Sequence, residues 1–460
     1  MTAPVPKKAG VASYPLEPLF GRIITPFEQF LQRATAGGII LMATTVLTLL
    51  LSNSPWSGAF ARFWEIHLHL GLGGWQIDHS LHHWVNDGLM ALFFFLVGLE
   101  LKRELLAGEL ASSRDAALPV IAAIGGMLAP ATIYHLFNPA GPAAAGWGIP
   151  MATDIAFAIG ILVLLAWRIP RNLILFLTAL AIADDLGAVL VIAIFYTQNL
   201  HLGAMLVAGG LFALLILLNQ GGVRHSLPYL LLGILLWYFV MASGIHATVA
   251  GILLAFTIPA RPAVSPRQFD AHLRELQQHF HARATDPDAV DDPLGNPRMA
   301  AIASNLRRAT NAVLAPQQRM EQALSPWVTF AILPIFAMAN AGIDFSTVSL
   351  GMLFSPMALG TCAGLVLGKF FGISGASWLA VRLRLARLPR GVGWRHILGA
   401  AWLGGIGFTM SLFISQIAFS SATLQEAAKL GILIASPIAG VVGLTWLYLA
   451  GSKGVPHDPR

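Results

Sequence analysis

Stretches of mostly apolar residues recur along almost the whole chain, and most are long enough to cross a bilayer, which takes about 20 helical residues. No other feature limits the fold so strongly. Inside lipid every backbone N–H and C=O must be bonded within the protein, so a chain of this kind is built from helices. The runs are Ala34 to Leu51, Leu81 to Gly98, Ala117 to Leu136, Trp147 to Trp167, Leu173 to Phe195 and Leu202 to Leu218. They continue with Leu227 to Met241, Gly244 to Phe256, Pro326 to Gly342, Met357 to Val381, Ile397 to Phe419 and Leu430 to Leu449. The sequence therefore predicts an all-α polytopic membrane protein of about twelve spans, the seventh and eighth being half-length or tilted. Composition agrees: 11% of residues are charged, against about a quarter in soluble domains.

The loops test this count independently. Of the 28 Lys and Arg, only Arg62, Lys369 and Lys429 fall outside the connections that follow even-numbered spans and the two termini. This is the positive-inside pattern, and it predicts that both termini are cytoplasmic. It also disposes of a nucleic-acid reading of the net charge of +6, because the basic residues are scattered over short segments between apolar runs. The single cysteine, Cys362, allows no intrachain disulfide, and no Cys/His cluster has zinc spacing. The stretch from Met1 to Arg33 has no apolar core or cleavage-like site and reads as a cytoplasmic segment rather than a signal peptide.

The chain thus divides into residues 1–33, a membrane unit at 34–258, a long cytoplasmic connection at 259–325, a second membrane unit at 326–450, and a tail at 451–460. The connection reads as a linker, and its Asp- and Pro-rich middle, Ala284 to Pro297, as disordered. Between the first two spans, residues around Ile66 to Ile77 alternate in polarity about a glycine-rich turn. That pattern suits a β-hairpin with an open edge, or equally an irregular loop.

Charges at membrane depth are costly and mark function by default. Asp87 lies near the end of span 2, where reaching interfacial water is a better explanation than function. His246, at the start of span 8, reads as a hydrogen-bonded packing histidine. Glu100, Lys102, Arg103 and Glu104 at the other end of span 2 read as a solvated helix end with internal ion pairs. Asp154, Asp184, Asp185 and Lys369 are harder to dismiss. A Lys–Asp pair joining spans 5 and 10 would account for Lys369 and one acid. Neighbouring helix residues project about 100° apart, so the other acid of the Asp184–Asp185 pair faces a different wall. Unpaired, it must be protonated, or ionised against a bound cation or water. A site that exchanges protons for cations behaves in this way.

Two spans look broken. Span 4 contains Gly148-Ile149-Pro150-Met151-Ala152-Thr153-Asp154, in which Pro150 removes a backbone donor. Span 11 contains Gly404-Gly405-Ile406-Gly407-Phe408-Thr409-Met410-Ser411. They occupy corresponding positions of spans 3–5 and 10–12, which run in opposite senses. Such a pair points to a transporter site between inverted repeats. The ends of broken helices carry partial charges, which Asp154 and Lys369 are suited to offset.

These residues resemble a known family. Trp84-Val85-Asn86-Asp87-Gly88-Leu89 running to Glu100-Leu101-Lys102-Arg103-Glu104, Ala152-Thr153-Asp154-Ile155-Ala156-Phe157, Ala183-Asp184-Asp185-Leu186-Gly187, Leu367-Gly368-Lys369 and Gly405-Ile406-Gly407-Phe408-Thr409 are similar to the NhaA family of bacterial sodium/proton antiporters. Ser243-Gly244-Ile245-His246-Ala247-Thr248 and Ala339-Asn340-Ala341-Gly342 extend the likeness, which covers about Gln32 to Leu449 apart from the long connection. That family is itself one of the cases behind the inverted-repeat rule.

The resemblance implies twelve helices with spans 4 and 11 unwound and crossing at the centre. It implies electrogenic exchange of Na⁺ or Li⁺ for protons in the bacterial inner membrane, with no cofactor, the ions being cargo. Asp185 would be the principal cation- and proton-binding carboxylate, Asp184 the partner of Lys369, Thr153 a cation ligand, and Asp154 the balance for the helix ends. Glu100, Arg103, Glu104 and Glu321 match the family's pH-regulating cluster, and the hairpin matches its homodimer contact. This chain departs from the pattern in its long connection and in the uncharged Gln322 and Ser325 at the pH-sensing end. Two other classes remain as alternatives. A sodium symporter of organic anions or bile acids predicts a wider cavity and leaves Lys369 less well explained. An intramembrane aspartyl protease would need Asp154 and Asp184 as a dyad, but the Gly-x-Gly-Asp context is absent.

Overall fold

The computed structural model describes residues 35–451, apart from 73–74, 109, 198–199, 263, 285–296 and 347. The N-terminal segment, the tail beyond 451 and the acidic middle of the long connection lie outside the described residues. Each of the twelve apolar runs forms a helical span. Spans 1 to 6 are Ala36–Ser52, Leu81–Ala107, Ser113–Phe137, Pro142–Leu164, Arg171–Phe195 and Leu202–Gln220. Spans 7 and 8 are the short helices Ser226–Ala242 and Thr248–Thr257. Span 9 is Pro316–Asn340, span 10 Pro356–Arg382 and span 12 Ala422–Ala450. Span 11 is split into Trp394–Leu403 and Phe408–Ala418, bent by 46°.

Span 4 is also divided. A tight 3₁₀ segment, Pro142–Met151, ends in extended backbone at Ala152, and an α-helix restarts at Ile155. Pro150 explains the break, since it can neither donate to nor sit comfortably in a continuous α-helix. The two interruptions meet. The N–H of Asp154 donates to the carbonyl of Ile406 at 2.6 Å, and Thr153 Oγ1 donates to the carbonyl of Gly404 at 2.9 Å. Orphaned backbone groups of one broken span are therefore satisfied by the other, as lipid demands. Gly407 permits this approach: a Cβ there would lie 2.2 Å from Ser411 Oγ and 3.2 Å from the carbonyl of Ala152.

The inverted arrangement is visible in the packing. Span 3 packs on span 5 as span 10 packs on span 12, and spans 3 and 10 lie against each other. At that seam Gly125 and Gly372 bring backbone onto backbone, each Cβ position lying within 2.4 Å of the other's carbonyl oxygen. Small residues at such a seam are how membrane helices gain close van der Waals contact.

Between spans 1 and 2 the chain forms a short helix, Ser57–Trp64, and then the expected hairpin. Strand β1, His67–Leu72, pairs antiparallel with β2, Trp75–Ser80, with His69 opposite Asp78 and His67 opposite Ser80. We call this end of the molecule the hairpin face. The long connection is on the opposite, arginine-rich face. It carries two helices, Pro266–Ala284 and Pro297–Val313, packed on each other. Span 9 starts at Pro316, well before the Pro326 suggested by hydropathy, because the polar first turns continue the same helix.

Candidate cation and proton site

The four intramembrane charges singled out by cost converge beside the crossing of spans 4 and 11. Relative exposure is 0% for Thr153, Asp184 and Lys369, 1% for Asp185 and 2% for Asp154. No unsolvated charge is stable alone at such depth, so each needs a partner. Lys369 Nζ donates to Asp184 Oδ2 in a tight ion pair. Thr153 Oγ1 lies 2.7 Å from the same oxygen, its one hydrogen shared between that carboxylate and the carbonyl of Gly404, so span 4, span 5 and span 10 meet on one atom. Span 10 winds through a widened π-turn at Gly364–Gly368, immediately before Lys369. Such turns are rare and concentrate at functional positions.

Asp154 is bonded on all sides. Its Oδ1 accepts from the N–H of Phe157 at 3.1 Å, capping the second half of span 4. Its Oδ2 accepts from Thr409 N at 2.9 Å and Thr409 Oγ1 at 2.5 Å, at the start of the second half of span 11. One carboxylate thus closes two helix N-termini, where the dipoles favour negative charge. Lys369, by contrast, directs its hydrogen bond to Asp184 rather than to a carbonyl of the broken spans.

Asp185 differs from both neighbours. Both of its oxygens are buried without a hydrogen-bond partner, and Asp184 Oδ1 is likewise unpartnered. Three carboxylate oxygens without a hydrogen-bond partner thus stand on adjacent residues of span 5.

Away from the centre, two groups have partners that sequence reasoning did not supply. Asp87, on the π-turn Trp84–Leu89, is held between two histidines. His83 Nε2 lies 2.8 Å and His246 Nε2 3.6 Å from its carboxylate, whose side chain is 15% exposed. His246 also meets Thr248 Oγ1 at 3.0 Å and stands edge-on to Phe413, so it packs as expected. On the arginine-rich face, Arg103 bridges Glu321 of span 9 and Glu104, and Glu100 lies within their electrostatic reach. Lys102 donates to the carbonyls of Phe256 at 2.7 Å and Ile258 at 2.5 Å, closing the end of span 8. Those cross-span partners are separated by more than a hundred residues, so no local pattern announces them.

Comparison with known proteins agrees with this architecture. The family model for Na⁺/H⁺ antiporter 1 matches residues 28–447. The Na⁺/H⁺ antiporter NhaA of Acidithiobacillus ferrooxidans is 66% identical over 431 residues, covering 94% of this chain and 99% of that protein. The Na⁺/H⁺ antiporter NhaA of Syntrophobacter fumaroxidans is 62% identical over 98% of this chain and 96% of its own length. The Na⁺/H⁺ antiporter NhaA 1 of Saccharophagus degradans is 47% identical over 95% of this chain. The chain therefore belongs to the NhaA Na⁺/H⁺ antiporter family, transporters rather than enzymes.

Proposed function

We propose that this chain exchanges Na⁺ or Li⁺ for protons across the bacterial inner membrane, with Asp185 as the carboxylate for which proton and cation compete. The unpartnered, fully buried oxygens of Asp185 carry this reading. Sealed from water, that side chain must hold either a proton or a cation, and never neither. Thr153 and Asp184 supply further oxygens when the cation is bound. The cation's charge then competes with Lys369 for Asp184, and the second proton leaves from the Asp184–Lys369 pair, which makes the exchange electrogenic. Asp154 holds the crossing together through both helix N-termini. Opening of the site to one face at a time gives alternating access.

The distribution of arginine and lysine orients the hairpin face outward and both termini to the cytoplasm. On that reading Glu100, Arg103, Glu104 and Glu321 form a cytoplasmic cluster that sets the pH dependence. The hairpin offers its open edge to a second copy, giving a homodimer. An organic-anion symport fits less well, since Lys369 is committed to Asp184.

The test is reconstitution into proteoliposomes with an entrapped pH dye. Addition of Na⁺ or Li⁺ is expected to drive proton movement in the wild type, and Asp185→Asn is expected to abolish it. A silent wild type across the neutral to alkaline range would refute the exchange, and full activity of the variant would place the site elsewhere.

A further inference from the structure

Phe370 follows Lys369 on span 10, and neighbouring helix residues project about 100° apart. The two side chains accordingly reach different partners. Lys369 goes to Asp184 of span 5. The ring of Phe370 stacks on Trp402 of span 11, with centroids 4.2 Å apart and planes 21° from parallel. Trp402 lies in the last turn of the first half of span 11, and its carbonyl accepts from the N–H of Gly405 at 3.0 Å, where the helix breaks. One turn beyond Phe370, Ile373 packs against the same break, since a Cβ on Gly404 would lie 2.5 Å from its Cδ1. The turn of span 10 that bears Lys369 therefore rests on the broken end of span 11.

These contacts close a circuit. From Lys369 it runs to Asp184 Oδ2, from that oxygen to Thr153 Oγ1 at 2.7 Å, and from Thr153 to the carbonyl of Gly404 at 2.9 Å. Gly404 closely follows Trp402 in the chain, and the stack on Phe370 returns the path to Lys369. The aromatic pair is the link that ties span 11 back to span 10. The indole makes it at a cost, because Trp402 Nε1 is buried without an acceptor, whereas a buried indole N–H is ordinarily bonded. The face of the ring, not its polar edge, thus sets its position. Across from the stem of Lys369, span 3 presents Gly126, which has no side chain to steer it. The aim of the ammonium is left to the backbone of its own turn.

We propose that Trp402 is a positioning residue for Lys369: by stacking on Phe370 it fixes the turn of span 10 from which the ammonium reaches Asp184. Trp402 is not itself a ligand and acts only through its neighbour. The inference rests on the reading above, in which cation and lysine compete for Asp184. A well-aimed ammonium raises the Na⁺ concentration needed to displace it, and a loosely aimed one lowers it. The stack therefore sets how readily Asp184 is given over to the cation.

The experiment follows Na⁺-driven proton movement by the full-length protein in proteoliposomes, at fixed pH and varied Na⁺ concentration. Trp402→Leu is expected to lower the apparent KM about threefold, the scale of one lost aromatic pair. Phe370→Leu deletes the same stack from span 10 and should do likewise; it supplies the reading if Trp402→Leu does not fold. Because the two rings act as a unit, the double variant should lower KM no further than either single one. Trp402→Phe keeps a ring against Phe370 and should stay near wild type. A role confined to packing would instead reduce the maximal rate, through fewer working molecules, and leave KM unchanged. An unchanged or raised KM in the folded single variants would overturn the proposal. So would independent effects multiplying to about ninefold in the double variant, or equal effects of Trp402→Phe and Trp402→Leu. Asp185→Asn, run alongside, tests the site reading separately. If it exchanges fully, the site lies elsewhere and the inference falls with it, whereas an unchanged KM in the single variants removes the positioning role alone.

Discussion

Asp154 and Asp185 are the same residue type and equally buried, yet their surroundings are opposite. At the crossing of spans 4 and 11, Asp154 accepts three hydrogen bonds from two elements. On span 5, Asp185 accepts none. Burial alone therefore says little about purpose, and the bonding ledger says more. A saturated carboxylate fixes geometry, whereas an unsaturated one keeps its lone pairs for something that comes and goes. Asp184 stands between them, with one oxygen committed to Lys369 and Thr153 and the other uncommitted.

That contrast can be broken most decisively by transport. Asp185→Asn should reduce exchange by at least about a thousandfold while the protein's melting profile stays close to wild type. In the wild type, the apparent KM for Na⁺ should rise by up to about tenfold per unit fall in pH where proton and cation compete, by mass action. Activity above a tenth of wild type in the variant would make the orphaned carboxylate a bystander. Next in size is Lys369→Ala, which strands Asp184 and should cost about 3 kcal/mol of stability. Adding Asp184→Asn should restore most of it, and a simple sum of the two losses would deny the pair. Asp154→Ala removes the cap of two helices and should cost about 2 kcal/mol, seen by thermal unfolding, with Na⁺ competition by protons retained in Asp154→Asn. The smallest effect belongs to the hairpin. His67, with His69 beside it, holds the Asp78 carboxyl below its ordinary value. Its contribution to strand pairing is present above the ordinary carboxylate range and is lost as pH falls through the lowered one. Asp78→Asn should therefore weaken hairpin cross-linking only slightly and remove that acid dependence; a large loss at neutral pH would mean the hairpin depends on this one contact.

Much of this was legible before any coordinates. The spans follow from hydropathy, and the two breaks from Pro150 and the glycines around Gly407; that the broken helices cross was implied by the resemblance. Helix geometry separated Asp184 from Asp185 without saying which would meet Lys369; that order came from resemblance, and the structure has Lys369 on Asp184. What stayed hidden depends on distant partners. Asp87 could not be distinguished from a solvent-facing acid until span 8 brought His246 toward it. Lys102 looked like part of a solvated helix end, but the end of span 8 gives it two carbonyls. The helices of the long connection were obscured by its acidic, proline-rich middle. The π-turns leave no periodicity of their own, because tertiary packing decides where a helix widens.

The widened turn before Lys369 has a mechanical corollary. A π-turn accommodates one residue more than an α-turn over the same rise, so winding it back to α geometry would rotate everything beyond it by about 100°. Lys369 is the first residue beyond. A local change of pitch would therefore be enough to swing its ammonium off Asp184, without any span having to slide through the bilayer.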